Sequence, residues 1–175
     1  MGAVTTFLIL HGWSGSGPEH WQTWLAGRLE PVRYPTLPEP DAPRLDRWLA
    51  ALEHQLHETG PETTVLCHSL ACILWFHHAA RRPGPVERVL LVAPPVVVHD
   101  EFASFFPVPY DAEAILAAAG ETLLVCSPDD PYAPGGAAAS YFGLPTHELP
   151  DAGHVNTDAG YGPWPWVEEW ARSPS

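Results

Sequence analysis

Lysine is absent from this chain. Its cations are eight arginines, set against 21 acidic residues, for a formal net charge of -13 over 175 residues. That balance excludes nucleic-acid binding, which needs clustered cations to neutralise phosphates, and it disfavours an anionic membrane surface. Without lysine there is also no phosphate loop of the Gly-x-x-x-x-Gly-Lys-Ser/Thr kind. Cysteine is scarce. Three residues, an odd number at irregular spacing, make no disulfide framework and suit thiols packed as small hydrophobes in a reducing, cytoplasmic compartment. Long apolar runs are missing too. The opening "MGAVTTFLILHGW" has no basic segment, and its apolar run is only Phe7 to Leu10, so neither a signal peptide nor a membrane span is expected. Its start has the outline of a myristoylation pattern with Thr6, but it leads directly into a core strand.

What is present describes a globular domain. Hydrophobic residues make up 46% and charged residues 17%, enough for a sizeable core in one domain spanning 1–175. Six β-rich runs lie at 5–10, 32–35, 63–67, 88–93, 122–126 and 145–149, and four of them are almost continuously apolar, as in strands covered on both faces. Helical patterns alternate with them at 18–30, 42–60, 70–82, 111–119, 135–142 and 163–172. In the first, Pro18 suits the opening turn and Trp21, Trp24, Leu25 and Leu29 share a face; in the second, Leu45, Trp48, Leu49, Leu52 and Leu56 form a stripe that ends at Gly60. Repeated β–α units predict an α/β fold, a three-layer α/β/α sandwich on a six-stranded parallel sheet. The 21 prolines mark loops rather than a linker. In such sheets ligands sit beyond the carboxyl ends of the strands, so the residues just after each strand carry the functional information.

After the first strand comes "HGWSGSGPEHW". Its Gly12, Gly15 and Gly17 are wrongly spaced for a dinucleotide fingerprint, and the loop is better suited to an oxyanion hole with the Trp13 N–H as a donor. After the third comes "CHSLA". A nucleophile elbow holds Ser in a strained strand-to-helix turn with small residues two before and two after; here those are Cys67 and Ala71 around Ser69, and the Leu70 N–H would be the second oxyanion donor. After the fifth comes "SPDDPYAP" with Asp129 and Asp130, and after the sixth "DAGHVN" with His154. A serine, an acid and a histidine in that order, each past the end of a parallel strand, have the chain order of a hydrolase triad.

These motifs resemble one group in particular. "LHGW" (10–13), "HSLA" (68–71), "DDPY" (129–132), "GHVN" (153–156) and "GYGPWP" (160–165) are similar to the small lidless serine hydrolases of the α/β-hydrolase superfamily that include the retinoblastoma-binding serine hydrolase and its bacterial relatives. The resemblance spans nearly the whole chain. It implies a minimal α/β-hydrolase fold without a lid domain, and a catalytic Ser69, His154 and Asp130, since the family's acid directly precedes the proline. Asp100, after the fourth strand, is a weaker alternative acid. The sequence departs from the family pattern at Cys67, where relatives usually carry Gly, and crowding there would act on rate more than on fold.

The expected activity is hydrolysis of small carboxylic esters through an acyl-enzyme, carboxylesterase-like, with thioesterase, acyltransferase or a non-catalytic interaction module on the same fold as alternatives. About fifteen residues separate the fourth strand from the helix near 111, too few for a lid, so the pocket should be shallow and open. Trp13, Tyr132, Phe105, Phe106 and Trp164 are its candidate walls, suited to a small acyl group or an aromatic ester; Trp166 and Trp170 are assigned to the core. Asn156 is a candidate for orienting the His154 loop. The partner is a small-molecule ester, with no cofactor expected. His54 with His57, and His77 with His78, lack a third ligand and are assigned to helix surfaces rather than to a metal. Cys67 and Cys72 flank the elbow without occupying its tip.

Overall fold

The computed structural model describes residues 2–174. Six parallel strands form one sheet: β1 (Thr6–Leu10), β2 (Val32–Arg33), β3 (Thr63–His68), β4 (Val86–Val92), β5 (Ala119–Cys126) and β6 (Thr146–Glu148), in the order β2-β1-β3-β4-β5-β6. Alternation along the strands divides the core. Leu8, Leu10, Val65, Cys67, Leu91 and Leu124 face one cluster, while Phe7, Ile9, Leu66, Leu90, Val92 and Val125 face the other. Helices α2 (Leu45–Thr59), α3 (Leu70–Ala80) and α4 (Ala112–Ala117) cover the first side, with the short α5 (Ala137–Ser140). Helices α1 (Trp21–Ala26) and α6 (Pro165–Arg172) cover the second. The strand order reverses between β1 and β3, which opens a crevice at their carboxyl ends.

Several expectations are corrected. Helix α1 begins at Trp21 rather than at Pro18. Residues 17–20 form a turn closed by His20 N–H to Gly17 O, and the His20 ring Nδ1 accepts the Gln22 N–H as the cap. Helix α3 is not a surface helix: nine of its residues are buried, including His78, and His77 donates to Phe105 O. His54 and His57 are exposed as expected. The connection after β4 carries a 3-10 segment, Asp100–Phe105. Cys67 is accommodated without breaking the ladder, which runs in register through Cys67↔Leu10, Cys67↔Leu91 and His68↔Val92. No helix among the described residues is long and apolar enough to cross a membrane.

Candidate active site

Ser69 stands between the end of β3 and the start of α3 with φ 55 and ψ -121, a positive-φ conformation that a serine holds only when its surroundings fix it. They do so here. Its N–H donates to Val92 O at 2.8 Å, which pins the turn to the neighbouring strand. Further residues of the same uncommon backbone class, Ser14, Ala93 and Val155, lie in the loops that follow β1, β4 and β6.

Three side chains meet above this turn. Ser69 Oγ lies 2.8 Å from His154 Nε2, and His154 Nδ1 lies 2.9 and 3.0 Å from the two oxygens of Asp130. The carboxylate can only accept, so Nδ1 carries the proton and the Nε2 lone pair accepts from the serine hydroxyl. Asp130 is buried, and its Oδ1 also accepts the Tyr132 N–H at 2.9 Å, which fixes the carboxylate plane. Asp129 is exposed and turned elsewhere. Its Oδ1 accepts from Ser127 Oγ and from the Gly153 N–H, and those two bonds hold its carboxyl below the usual range. Asp100 is exposed in the 3-10 segment and makes no contact with His154.

The His154 loop is tied down from several elements. Trp21 Nε1–H donates to Val155 O at 2.9 Å, Ser127 Oγ accepts the Ala152 N–H at 3.0 Å, and Asn156 Oδ1 accepts the Ala159 N–H. His68, the residue before the serine, adds a bond of its own: its Nε2 donates to His154 O at 2.9 Å. Burial first, then repulsion from His20 and His154, pushes the His68 pKa well down, so it stays a neutral donor. His20 packs edge-on against His68 with ring centroids 4.7 Å apart, and burial, then His154, lowers its pKa to about 4. The sequence alone gives neither residue a role of its own: His20 stands out by no motif, and His68 enters only within "HSLA".

Gly12 approaches the elbow so closely that a Cβ there would lie 2.9 Å from Ser69 Cβ and 3.3 Å from the Leu70 nitrogen. The Gly12–Trp13 peptide is therefore pressed against the Ser69–Leu70 turn, and neither the Trp13 nor the Leu70 N–H has an acceptor among the described residues. His11 anchors this loop from below. Its Nε2 accepts the Leu37 N–H and its Nδ1–H donates to Gly12 O; burial lowers its pKa, keeping it neutral.

A cavity of about 210 Å³ opens over Ser69 and His154, with Trp13, Phe102 and Tyr132 among its walls. Of the expected wall residues, Trp13 and Tyr132 are on its lining. The other three expected wall residues are not. Phe105 is fully buried against Trp48, Phe106 packs on the core beside Phe102, and Trp164 is buried between Trp21 and Tyr161. A kink within the 3-10 segment, at Phe102 (φ -128, ψ 26), accompanies the contact of Phe102 rather than Phe105 with Trp13, and a run of spaced phenylalanines gives no period from which to read a kink. Trp170 is buried as expected and Trp166 half-buried. No cluster of metal-ligating side chains occurs among the described residues.

A serine on a strained strand-to-helix turn, on a parallel α/β sheet whose topology reverses beside it, defines the α/β-hydrolase class. Comparison with known proteins places the chain more narrowly: residues 7–172 match the serine hydrolase family model, and the chain belongs to that family. YdeN of Bacillus subtilis (strain 168) is 30% identical over 177 residues, covering 91% of this chain and 90% of YdeN. The crystal structure of the B. subtilis ydeN product superposes with a TM-score of 0.81 at 24% identity, over 96% of this chain and 97% of that one. Est1E of Butyrivibrio proteoclasticus, in its ferulic-acid-bound structure, shares the fold at TM-score 0.68 and 12% identity, over 96% and 88% of the two chains.

Proposed function

We propose that this protein cleaves small carboxylic esters through an acyl-enzyme on Ser69. The observation that carries the proposal is the unbroken hydrogen-bond line Ser69 Oγ to His154 Nε2, and His154 Nδ1 to Asp130. His154 Nε2 takes the hydroxyl proton as Ser69 Oγ bonds to the ester carbon, and the carbonyl electrons move onto its oxygen. Asp130 keeps the imidazole in the tautomer that can do this and stabilises the imidazolium. The N–H groups of Trp13 and Leu70 are assigned to the developing oxyanion, each worth about 3 kcal/mol in comparable enzymes. Collapse of that oxyanion breaks the bond to the alcohol oxygen, which leaves with the proton from His154. Water then attacks the acyl carbon, giving its proton to His154. Collapse breaks the bond to Ser69 Oγ, which recovers the proton as the carboxylic acid departs. The three buried, unpaired thiols agree with action in a reducing cytoplasm.

The test is covalent. A fluorophosphonate should label Ser69, located by mass spectrometry, and Ser69→Ala should lose the label and about 10⁴-fold or more of p-nitrophenyl acetate turnover while melting like the parent. A folded parent protein that neither reacts nor hydrolyses esters would instead be an interaction module on a hydrolase shell.

A further inference from the structure

From the walls of the cavity we infer the substrate class: esters carrying a single aromatic ring. The inference rests on the Ser69 mechanism and specifies what that site accepts. The rings of Trp13, Phe102 and Tyr132 line the cavity beside the triad, and His99 contacts all three. Tyr132 lies over the His154 imidazole at 4.4 Å between centroids and meets His99 at 5.7 Å. His99 stacks on Trp13 at 5.8 Å, and Phe102 closes the group from below, 5.4 Å from Trp13 and 5.2 Å from His99. Because Trp13, Phe102 and Tyr132 line the cavity, a ring bound there gains aromatic contact, an attraction that a saturated group of the same size does not gain.

Size and charge narrow the class. A volume of about 210 Å³ is below the range of about 300–1,000 Å³ typical of drug-sized ligands, which favours a small ester with one ring over a larger one. No arginine lines the cavity, and its one carboxylate, Asp158, is exposed on the rim, so an acyl group with its own negative charge has no partner there. A neutral monocyclic aromatic ester satisfies all three conditions.

The experiment compares isosteric pairs: methyl phenylacetate against methyl cyclohexylacetate for a ring on the acyl side, and benzyl acetate against cyclohexylmethyl acetate for a ring on the alcohol side. Each kcat/KM is divided by the rate of hydroxide-catalysed hydrolysis of the same ester. The aromatic member of at least one pair should be preferred about fivefold or more, the equivalent of one or two ring contacts. The preference should fall toward unity in Phe102→Leu and in the more exposed Tyr132→Leu, the latter carrying the test if the buried substitution does not fold. Equal or reversed selectivity in both pairs, with Ser69 reactive to fluorophosphonate, overturns the aromatic class and leaves the hydrolase mechanism standing. A preference that survives in both variants overturns the assignment to this ring surface. Turnover of none of the esters, with Ser69 unlabelled, overturns the mechanism and this inference with it.

Discussion

Substituting Gly12 by alanine tests the oxyanion assignment more sharply than any change to the triad, because it adds one methyl group and removes no polar atom. The added Cβ would stand 2.9 Å from Ser69 Cβ, 3.1 Å from His68 O and 3.3 Å from the Leu70 nitrogen. Non-bonded carbons rest at about 3.5–4.0 Å, so something must move by about 0.6–1 Å. The elbow is the stiffer side. Ser69 is bonded through its N–H to Val92 and through Oγ to His154, and its φ of 55 leaves little room. The Gly12–Trp13 peptide therefore yields, although Ser14 N–H to Pro40 O and Gly15 N–H to Gly12 O resist it. A shift near 1 Å takes the Trp13 N–H away from the oxyanion, and loss of one such donor costs about 10²–10³ in kcat. Overpacking adds about 1–3 kcal/mol of destabilisation. With p-nitrophenyl acetate, kcat of Gly12→Ala should fall by that factor with KM little changed, and fluorophosphonate labelling should slow in step. Gly84→Ala, where a Cβ meets nothing within 4 Å, is the control. A Gly12→Ala protein that melts like the parent and keeps kcat to within about threefold would refute the reasoning.

Two further perturbations address the histidines behind the site. His68→Leu deletes the donor to His154 O and leaves a buried carbonyl unpaired, so kcat should drop about 10- to 100-fold as the loop shifts, with KM nearly constant. His68→Gln, which retains an N–H donor, should recover most of that loss, and equal kcat values for the two variants would make the bond irrelevant to catalysis. Stability should also depend on pH through the buried neutral imidazoles. The pKa of His20 is lowered to about 4, by burial first, against about 6.5 unfolded; the unfolded chain therefore takes up the proton first, and stability is full above about pH 6.5 and declines as pH falls toward 4. His20 alone contributes about 3 kcal/mol across that window, with His11 and His68 acting in the same direction. Urea unfolding at pH 7.5, 6 and 5 should show the decline, and His20→Asn, whose side chain can still cap α1, should flatten it. A parent protein equally stable at all three values would contradict the burial of these rings.

Legibility followed the physics of each signal. The sheet was readable because parallel strands covered on both faces are continuously apolar, and "TFLIL", "TTVLC" and "RVLLV" lie within β1, β3 and β4 to within a residue or two. Positions past the strand ends were readable for the same reason: once the strands are located, Ser69, His154 and the pair Asp129 and Asp130 follow from where each strand stops. The choice of Asp130 within the pair came from the family resemblance. What depended on the local path of loops was not readable. Pro18 suits a first helical turn, yet the chain spends residues 17–20 on a turn whose cap is a histidine ring, a residue type with no capping preference. Phe102, Phe105 and Phe106 are chemically alike, and Phe102, the one at the kink of the 100–105 segment, is the one that reaches the cavity. Trp164 lies in a motif that resembles the family's but does not line the cavity over Ser69: it packs in the core edge-on to Trp21, which in turn anchors the His154 loop.

The adjacent acids show why order along the chain and role in space are separate questions. Asp129 and Asp130 are interchangeable by composition, and each is one peptide from the other's position. Only the second is turned inward, where its oxygens reach the imidazole and the Tyr132 N–H; the first points back across the surface to Ser127 Oγ and the Gly153 N–H. The same two-residue turn therefore supplies both the acceptor for His154 and the tether for the loop that carries it. Ser127, at the end of β5, joins the arrangement by donating to Asp129 and accepting the Ala152 N–H. Displacing this turn would shift the carboxylate and the imidazole together, so the hydrogen bond between them is better protected than the one to Ser69, which joins two independently anchored loops. The elbow has its own answer to that weakness in His68, which ties the carbonyl of residue 154 to the residue next to the nucleophile.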